Sequence, residues 1–235
     1  MSEPSTPLSP LAAYTFADES LWSDLPAAEH ARLEARITSE TFPSGHIFYA
    51  PEEGGDRLFI LRSGRVRIYK LSPEGRALTL LILEPHAIFG EMALNADWVH
   101  DSFAESMSEC TVGAIPRDEM RRILNSNPAL ALRFMTIISQ RLRALEQRLA
   151  DIAFKSVPQR LATVLINLAQ QPASDETPLV TRYTHQQLAE MIGSYRETVT
   201  KAIGEFREAG LIRVEEDSIS LTNMPRLREL MAGKS

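Results

Sequence analysis

Residues 184–201 read T-H-Q-Q-L-A-E-M-I-G-S-Y-R-E-T-V-T-K, and their spacing predicts two short helices joined by a tight turn. Leu188, Met191 and Ile192 share one helical face, Gly193 breaks the pattern, and Val199, Ala202 and Ile203 open a second face. Thr184 with Gln187, and Ser194 with Glu197, are spaced as capping boxes, so each helix carries its own start. This is a helix-turn-helix pattern. The second helix then begins near Tyr195 and presents Arg196, Glu197, Thr200 and Lys201 from its first turns, the part of such a helix that enters a DNA major groove. Arginine grips guanine O6 and N7 with two hydrogen bonds, and a carboxylate accepts from cytosine N4. Arg196 and Glu197 therefore suit a G·C step followed by C·G, Thr200 a thymine methyl, and Lys201 a base or a phosphate. The plainer alternative is a helix pair in an ordinary core, with Glu197 only capping.

Outward from this stretch, Gly210 ends the second helix at a glycine cap. Leu211–Val214 and Ser218–Leu221 follow as short alternating strands around Glu215, Glu216 and Asp217, a hairpin that forms a wing. Arg207 and Arg213 are placed to meet phosphates, and His185, Ser194 and Tyr195 around the turn are further candidate DNA-binding residues. Upstream, residues 42–115 read as short strands: Ile47–Tyr49, Leu58–Leu61, Val66–Tyr69, Leu78–Leu83 and Cys110–Ile115. Gly45, Gly54, Gly55, Gly64, Pro73 and Gly75 separate them, the punctuation of an antiparallel sandwich or jelly roll. Ala131, Met135, Ile138, Leu142, Leu145, Leu149 and Ile152 then recur at alternating steps of four and three, a heptad seam for a dimer helix. A lone amphipathic helix on its own core is the alternative. Ser156, Pro158 and Gln159 stop the seam, with Ser156 as cap, Pro158 in the first position and Gln159 closing the box, so residues 154–158 form a hinge.

The fold class is α+β, in four parts: a tail over 1–16, a β-barrel over 17–127, a dimerisation helix over 128–155 and a winged helix-turn-helix over 156–235. Pro4, Pro7 and Pro10 among serines mark the tail as disordered. The 235 residues allow one large or two ordinary domains. Net charge is −6, but residues 155–235 balance ten Lys and Arg against ten Asp and Glu, leaving 15 against 21 upstream. DNA affinity must then come from a local basic face. Cys110 is the single cysteine, which excludes a disulfide framework and a cysteine-ligated iron–sulfur or zinc site within one chain; in its apolar run it reads as a buried structural thiol. The longest apolar stretch, around Leu78–Leu83, is too short for a membrane span and no signal peptide is read, so a soluble cytoplasmic protein is expected. An enzyme of the metal-dependent cupin type would need clustered histidines, and His30, His46, His86, His100 and His185 form no such cluster. No nucleophile elbow, phosphate loop or zinc-protease motif is present. No catalytic residue, metal site or cofactor is expected.

Barrel, dimer helix, hinge and winged helix-turn-helix, in that order, resemble the CRP/FNR transcription regulators, in particular the catabolite activator protein branch, over roughly residues 20–222. The matching stretches are Gly45–Phe48, Leu58–Val66, Phe89–Leu94, Asn127–Pro128 and, above all, Arg196–Val199. The resemblance implies a homodimer on double-stranded DNA, with RNA polymerase as a further partner and activation as the habit. It also implies that Arg196 and Glu197 read the G·C pairs of a TGTGA-like half-site. A second family arginine is replaced by Lys201, which lacks the planar fork. The family's cyclic-AMP cassette starts F-G-E and ends in an arginine-serine pair. Gly90 and Glu91 remain here, but the arginine position is Asp101, followed by Ser102; a shift by one residue puts His100 there instead. Two like unit charges ~4 Å apart at a partly screened site cost roughly 4 kcal/mol. Where relatives place a threonine and a serine against the adenine, this chain has Leu145 and Glu146. cAMP is therefore not the expected effector. Iron–sulfur sensing needs more cysteines, haem sensing an axial histidine such as His86 or His100, and a 2-oxoglutarate site a basic cassette. An unknown small ligand, or none, remains.

Overall fold

The structure is a computed structural model that describes residues 15–16, 21–22, 27–95, 97, 99–169, 177–181 and 183–233. The expected tail falls outside these residues, except that Thr15 and Phe16, placed in it by the sequence, form a strand. The chain divides into two compact units, Thr15–Arg143 and the part from Ala144 onward.

In the first unit, two sheets make the barrel. One runs β1-β6-β5-β8-β3 and the other β2-β9-β4-β7. Their strands are β1 (Thr15–Phe16), β2 (Thr38–Phe42), β3 (Ile47–Tyr49), β4 (Arg57–Ser63), β5 (Val66–Leu71), β6 (Ala77–Leu83), β7 (Ile88–Phe89), β8 (Phe103–Ser106) and β9 (Cys110–Pro116). Helix α1 (Ala27–Glu34) precedes β2, and α2 (Arg117–Ser126) follows β9. Every strand read from the sequence is present, and the pairs are antiparallel save β1 against β6, which is parallel. The polar strands β2 and β8 escaped the alternation test because T-S-E-T-F and F-A-E-S carry few apolar residues. They are strands because β9 and β5 pair with them.

Leu58, Ile60, Ile88, Ile115, Met120 and Trp22 form the core of this unit. Cys110 is buried, and burial pushes its thiol pKa up. Gly64 turns β4 into β5 at φ +82°, where an added Cβ would stand 2.3 Å from the Glu109 carbonyl oxygen. Only glycine fits both the angle and the space.

Helix α3 spans Pro128–Phe154. Asn127 Oδ1 accepts the Leu130 amide at 3.1 Å and so caps its start. Leu130 and Ile137 are buried in the barrel core with Phe134 packed against it, at the i, i+4, i+7 spacing of one face. Of the expected seam, Met135, Leu142, Leu149 and Ile152 are exposed in the single chain, while Ile138 and Leu145 are half-buried.

The second unit contains α4 (Val157–Leu168), α5 (His185–Ile192), α6 (Arg196–Glu208) and α7 (Met224–Met231), with a sheet ordered β10-β12-β11. Ser156 caps α4 in a capping box with Gln159, although Val157 takes the first position and Pro158 the second. The wing strands are β11 (Arg213–Val214) and β12 (Ser218–Ser220). Leu211 and Ile212, expected in the wing, are instead buried ahead of it. β10 (Leu179–Thr181) was not legible; it pairs antiparallel with β12, with α5, α6 and β11 between them in the chain. Among the described residues, no helix is long and apolar enough to cross a membrane.

Candidate DNA-binding interface and effector cassette

Helix α5 starts as its sequence dictates. Thr184 Oγ1 accepts the Gln187 amide at 3.2 Å, and Gln187 Oε1 accepts the Thr184 amide at 2.8 Å. Gly193, at φ 63° and ψ 46°, ends it in the left-handed region. The amides of both Gly193 and Ser194 turn back to the Ala189 carbonyl.

This closure corrects the second capping box. Ser194 serves the end of α5, and the cap of α6 falls one residue later, on Tyr195, with no side-chain cap bond. Glu197 is therefore the second residue of α6, not the third, and does not close a box with Ser194. The Arg196 carbonyl accepts the Thr200 hydroxyl at 2.9 Å, and Thr200 Oγ1 stands 3.0 Å from His185 Nδ1.

Four buried side chains, Val199, Ala202, Ile203 and Phe206, hold α6 against its unit. Arg196, Glu197, Thr200, Lys201 and Arg207 fall on the exposed remainder, with Tyr195 exposed at the start and Ser194 and His185 half-buried beside it. Lys201 Nζ lies 3.9 Å from Glu205 Oε1, an exposed pair worth at most about 1 kcal/mol and easily surrendered to another anion. Arg213 is exposed at the start of the wing.

In the first unit, Gly90 at φ 79° leads into the 3-10 turn Glu91–Leu94. Glu91 Oε2 lies 3.6 Å from Arg141 Nη1, and Arg141 Nη2 donates to the Ile88 carbonyl at 2.5 Å. The Gly90 amide bonds the Tyr49 hydroxyl, whose pKa burial pushes far up. The Tyr49 ring stacks on His100 with centroids 3.7 Å apart and 8° between planes. Burial holds His100 below the usual 6.5, against the pull of Glu91, Glu53 and Asp101. His100 is thus buried behind Tyr49, whereas Asp101 is 61% exposed and accepts from Lys70 Nζ at 3.0 Å. That pairing corrects the electrostatic expectation. Exposure to water lowers the like-charge cost at Asp101 toward about 1 kcal/mol, and Lys70 offsets part of it.

Ser102 is buried. Leu145 and Glu146 lie on α3 beyond Arg143, half-buried and exposed respectively. Sequence reasoning missed Arg141 and Tyr49. Arg141 continues the Leu130, Phe134, Ile137 spacing, which was the available signal; Tyr49 offered none. Among the described residues, no group of three or more His, Cys, Asp or Glu side chains could hold a metal ion.

A two-sheet barrel, a long helix and a winged helix-turn-helix define a sensor-type domain joined to a DNA-binding domain. Residues 39–127 match the cyclic nucleotide-binding domain family, and residues 159–230 match the Crp-like helix-turn-helix domain. The chain is 34% identical over 201 residues to the CRP-like cAMP-activated global transcriptional regulator of Mycobacterium tuberculosis, covering 84% of this chain and 89% of that protein. The crystal structure of a CRP/FNR-family transcriptional regulator from Thermus thermophilus superposes with TM-score 0.71 at 30% identity, over 84% of this chain and all of that one. A c-di-GMP responsive global regulator from Xanthomonas campestris shares the fold at TM-score 0.75 and 20% identity, over 83% of this chain and 99% of that one. The chain belongs to the CRP/FNR family of DNA-binding transcription regulators, and the family is not one of enzymes.

The two caps separate by substitution. Thr184→Ala is expected to destabilise the helix-turn-helix unit by about 1 kcal/mol, and Ser194→Ala by less than about 0.5 kcal/mol. Thermal unfolding of the two variants checks this, and equal losses would return the cap of α6 to Ser194.

Proposed function

We propose that the protein binds a palindromic TGTGA-like site as a homodimer, acts in the cytoplasm as an activator that contacts RNA polymerase, and does so without cAMP. The exposed row Arg196, Glu197, Thr200 and Lys201 on α6 carries the DNA reading. Arg196 takes a guanine edge and Glu197, free of the Ser194 box, takes a cytosine amine. His185, Ser194, Tyr195, Arg207 and Arg213 sit around this row as phosphate contacts, which position the protein without reading sequence.

The homodimer rests on α3. Met135 and Leu142 are 63% and 57% exposed, and with Leu149 and Ile152 they run along one seam. Ile138 and Leu145 lie on the same seam, half-covered by their own chain. A stripe this apolar is normally covered, and its heptad spacing selects a second copy of the same helix.

Independence from cAMP rests on the cassette. By the family resemblance, Asp101 and Ser102 replace an arginine-serine pair that holds a cyclic phosphate, and Leu145 and Glu146 replace hydroxyls that meet the adenine. Gly90 and Glu91 are engaged by Tyr49 and Arg141. A ligand shifts an equilibrium only by its differential affinity for the two states. The second reading is a cAMP-dependent or other ligand-dependent regulator. The retained Gly90 and Glu91 favour it, as does the cAMP-activated Mycobacterium tuberculosis relative.

Arg196→Ala is expected to cost ~1–3 kcal/mol at a TGTGA-like palindrome and to relax preference at one G·C pair. Arg213→Ala is expected to weaken all sequences alike and lower the salt slope by roughly one. Specific binding by Arg196→Ala equal to that of the parent would refute the register of α6. Leu142→Asp is expected to sediment as a monomer and lose tight binding to two half-sites about one turn, ~34 Å, apart; a parent that is itself monomeric at micromolar concentration contradicts the homodimer. Ligand-free protein is expected to bind its operator, with millimolar cAMP changing affinity less than about twofold. A micromolar calorimetric dissociation constant, or a tenfold gain in DNA affinity, would establish the second reading.

A further inference from the structure

The last turns of α3 carry an unusual arrangement of polarity. Leu149 and Phe154 are 69% and 86% exposed, while Arg148 and Asp151 are 3% and 4% exposed. Apolar burial by these large side chains does not anchor this stretch to the DNA-binding helices; hydrogen bonds of charged groups do.

Arg148 Nη2 donates to the Met191 carbonyl in the final turn of α5. The last carbonyls of a helix have no partner within it, and a cation there also meets the negative end of the helix dipole. Asp151 Oδ1 accepts from Gln147 Nε2 at 2.9 Å and pairs with Lys155 Nζ at 3.0 Å. Lys155 Nζ also donates to Thr163 Oγ1 of α4 at 3.2 Å. From α4, Arg160 Nη1 returns to the carbonyls of Ile152 at 3.2 Å and Lys155 at 3.0 Å. The end of α3 is thus tied to α4 on both sides of residues 154–158, and to α5 through Arg148 alone among these bonds. Met191 is two residues from Gly193, the turn from which α6 departs.

We propose that Arg148 is a positioning residue for DNA binding: its bond to the Met191 carbonyl sets the angle at which α3 presents the α5–turn–α6 pair, and so the half-site separation that the protein accepts. This rests on the homodimer reading, since separation has meaning only when two recognition helices bind at once. Hydrogen bonds from a planar guanidinium are directional. Rotation of the helix pair about residues 154–158 breaks the bond to Met191 and leaves a buried cation without that acceptor. Arg148 does not touch DNA in this scheme, so its loss leaves the reading of a single half-site intact.

The test uses the full-length protein and the half-site that it selects from random-sequence DNA. Fluorescence anisotropy measures affinity for duplexes carrying one half-site, or two at centre-to-centre separations stepped by one base pair. The parent protein is expected to prefer one separation by about tenfold over those displaced by two base pairs. Arg148→Gln is expected to hold the single half-site within about twofold while its preference among separations falls below about threefold. Arg148→Lys, which keeps a cationic donor, restores part of the preference. A sharp optimum in Arg148→Gln overturns this inference alone, as does a loss on the single half-site equal to that on the pair, which marks a merely structural residue. A flat series in the parent overturns the homodimer reading and this inference with it.

Discussion

A single helix has to satisfy more than one environment, and the structure is organised around how α3 does so. Leu130 and Ile137 are buried in the barrel core, where full burial of such a side chain is worth about 1.5–3 kcal/mol, and Phe134 packs against it. Arg141 continues that face and ends on the Ile88 carbonyl and Glu91. A second stripe around the helix leaves Met135, Leu142 and Leu149 exposed. Farther on, the buried groups are Arg148 and Asp151. One helix thereby anchors in a core, offers an apolar stripe and grips polar backbone at its far end. Changing any one face leaves the others to be met by the same backbone.

At the DNA-binding end the constraint is local. Gly193 adopts a backbone that most residues avoid, and both Gly193 and Ser194 return their amides to Ala189. That closure fixes where α5 stops and where α6 starts. The buried row Val199, Ala202, Ile203 and Phe206 then determines which way α6 faces. Arg196, Glu197, Thr200 and Lys201 are exposed as the complement of that row. The near-neutral charge of the region is compatible with a local basic face, since Arg196, Lys201 and Arg207 are all exposed on α6.

The cassette holds a different balance. Its glycine amide and its glutamate are both engaged from within the chain, by Tyr49 and Arg141. His100 is stacked behind Tyr49, and Asp101 is turned to solvent beside Lys70. The register of two adjacent residues decides which one is buried. Alternation along the chain could not settle it, and the position of Tyr49 could.

Short-range chemistry was legible in the residues themselves. The boxes at Thr184 and Ser156 formed, Gly193 and Gly210 closed their helices, and the apolar strands of the barrel appeared where alternation placed them. Each of these depends on neighbours within about four residues, so the sequence alone determines it. The box at Ser194 failed because the same residue was already committed to the end of α5. The strands β2, β8 and β10 and the bonds Arg141–Ile88, Lys70–Asp101 and Arg148–Met191 were not legible. Their partners lie tens of residues away, and a polar strand or a lone arginine carries no periodic signal until the fold brings its acceptor near. The sequence thus determined the helix starts and stops, the apolar strands and the chemistry of α6. The tertiary structure alone decided which polar groups are buried, and against which carbonyls, because burial is a property of the packed chain and not of the residue.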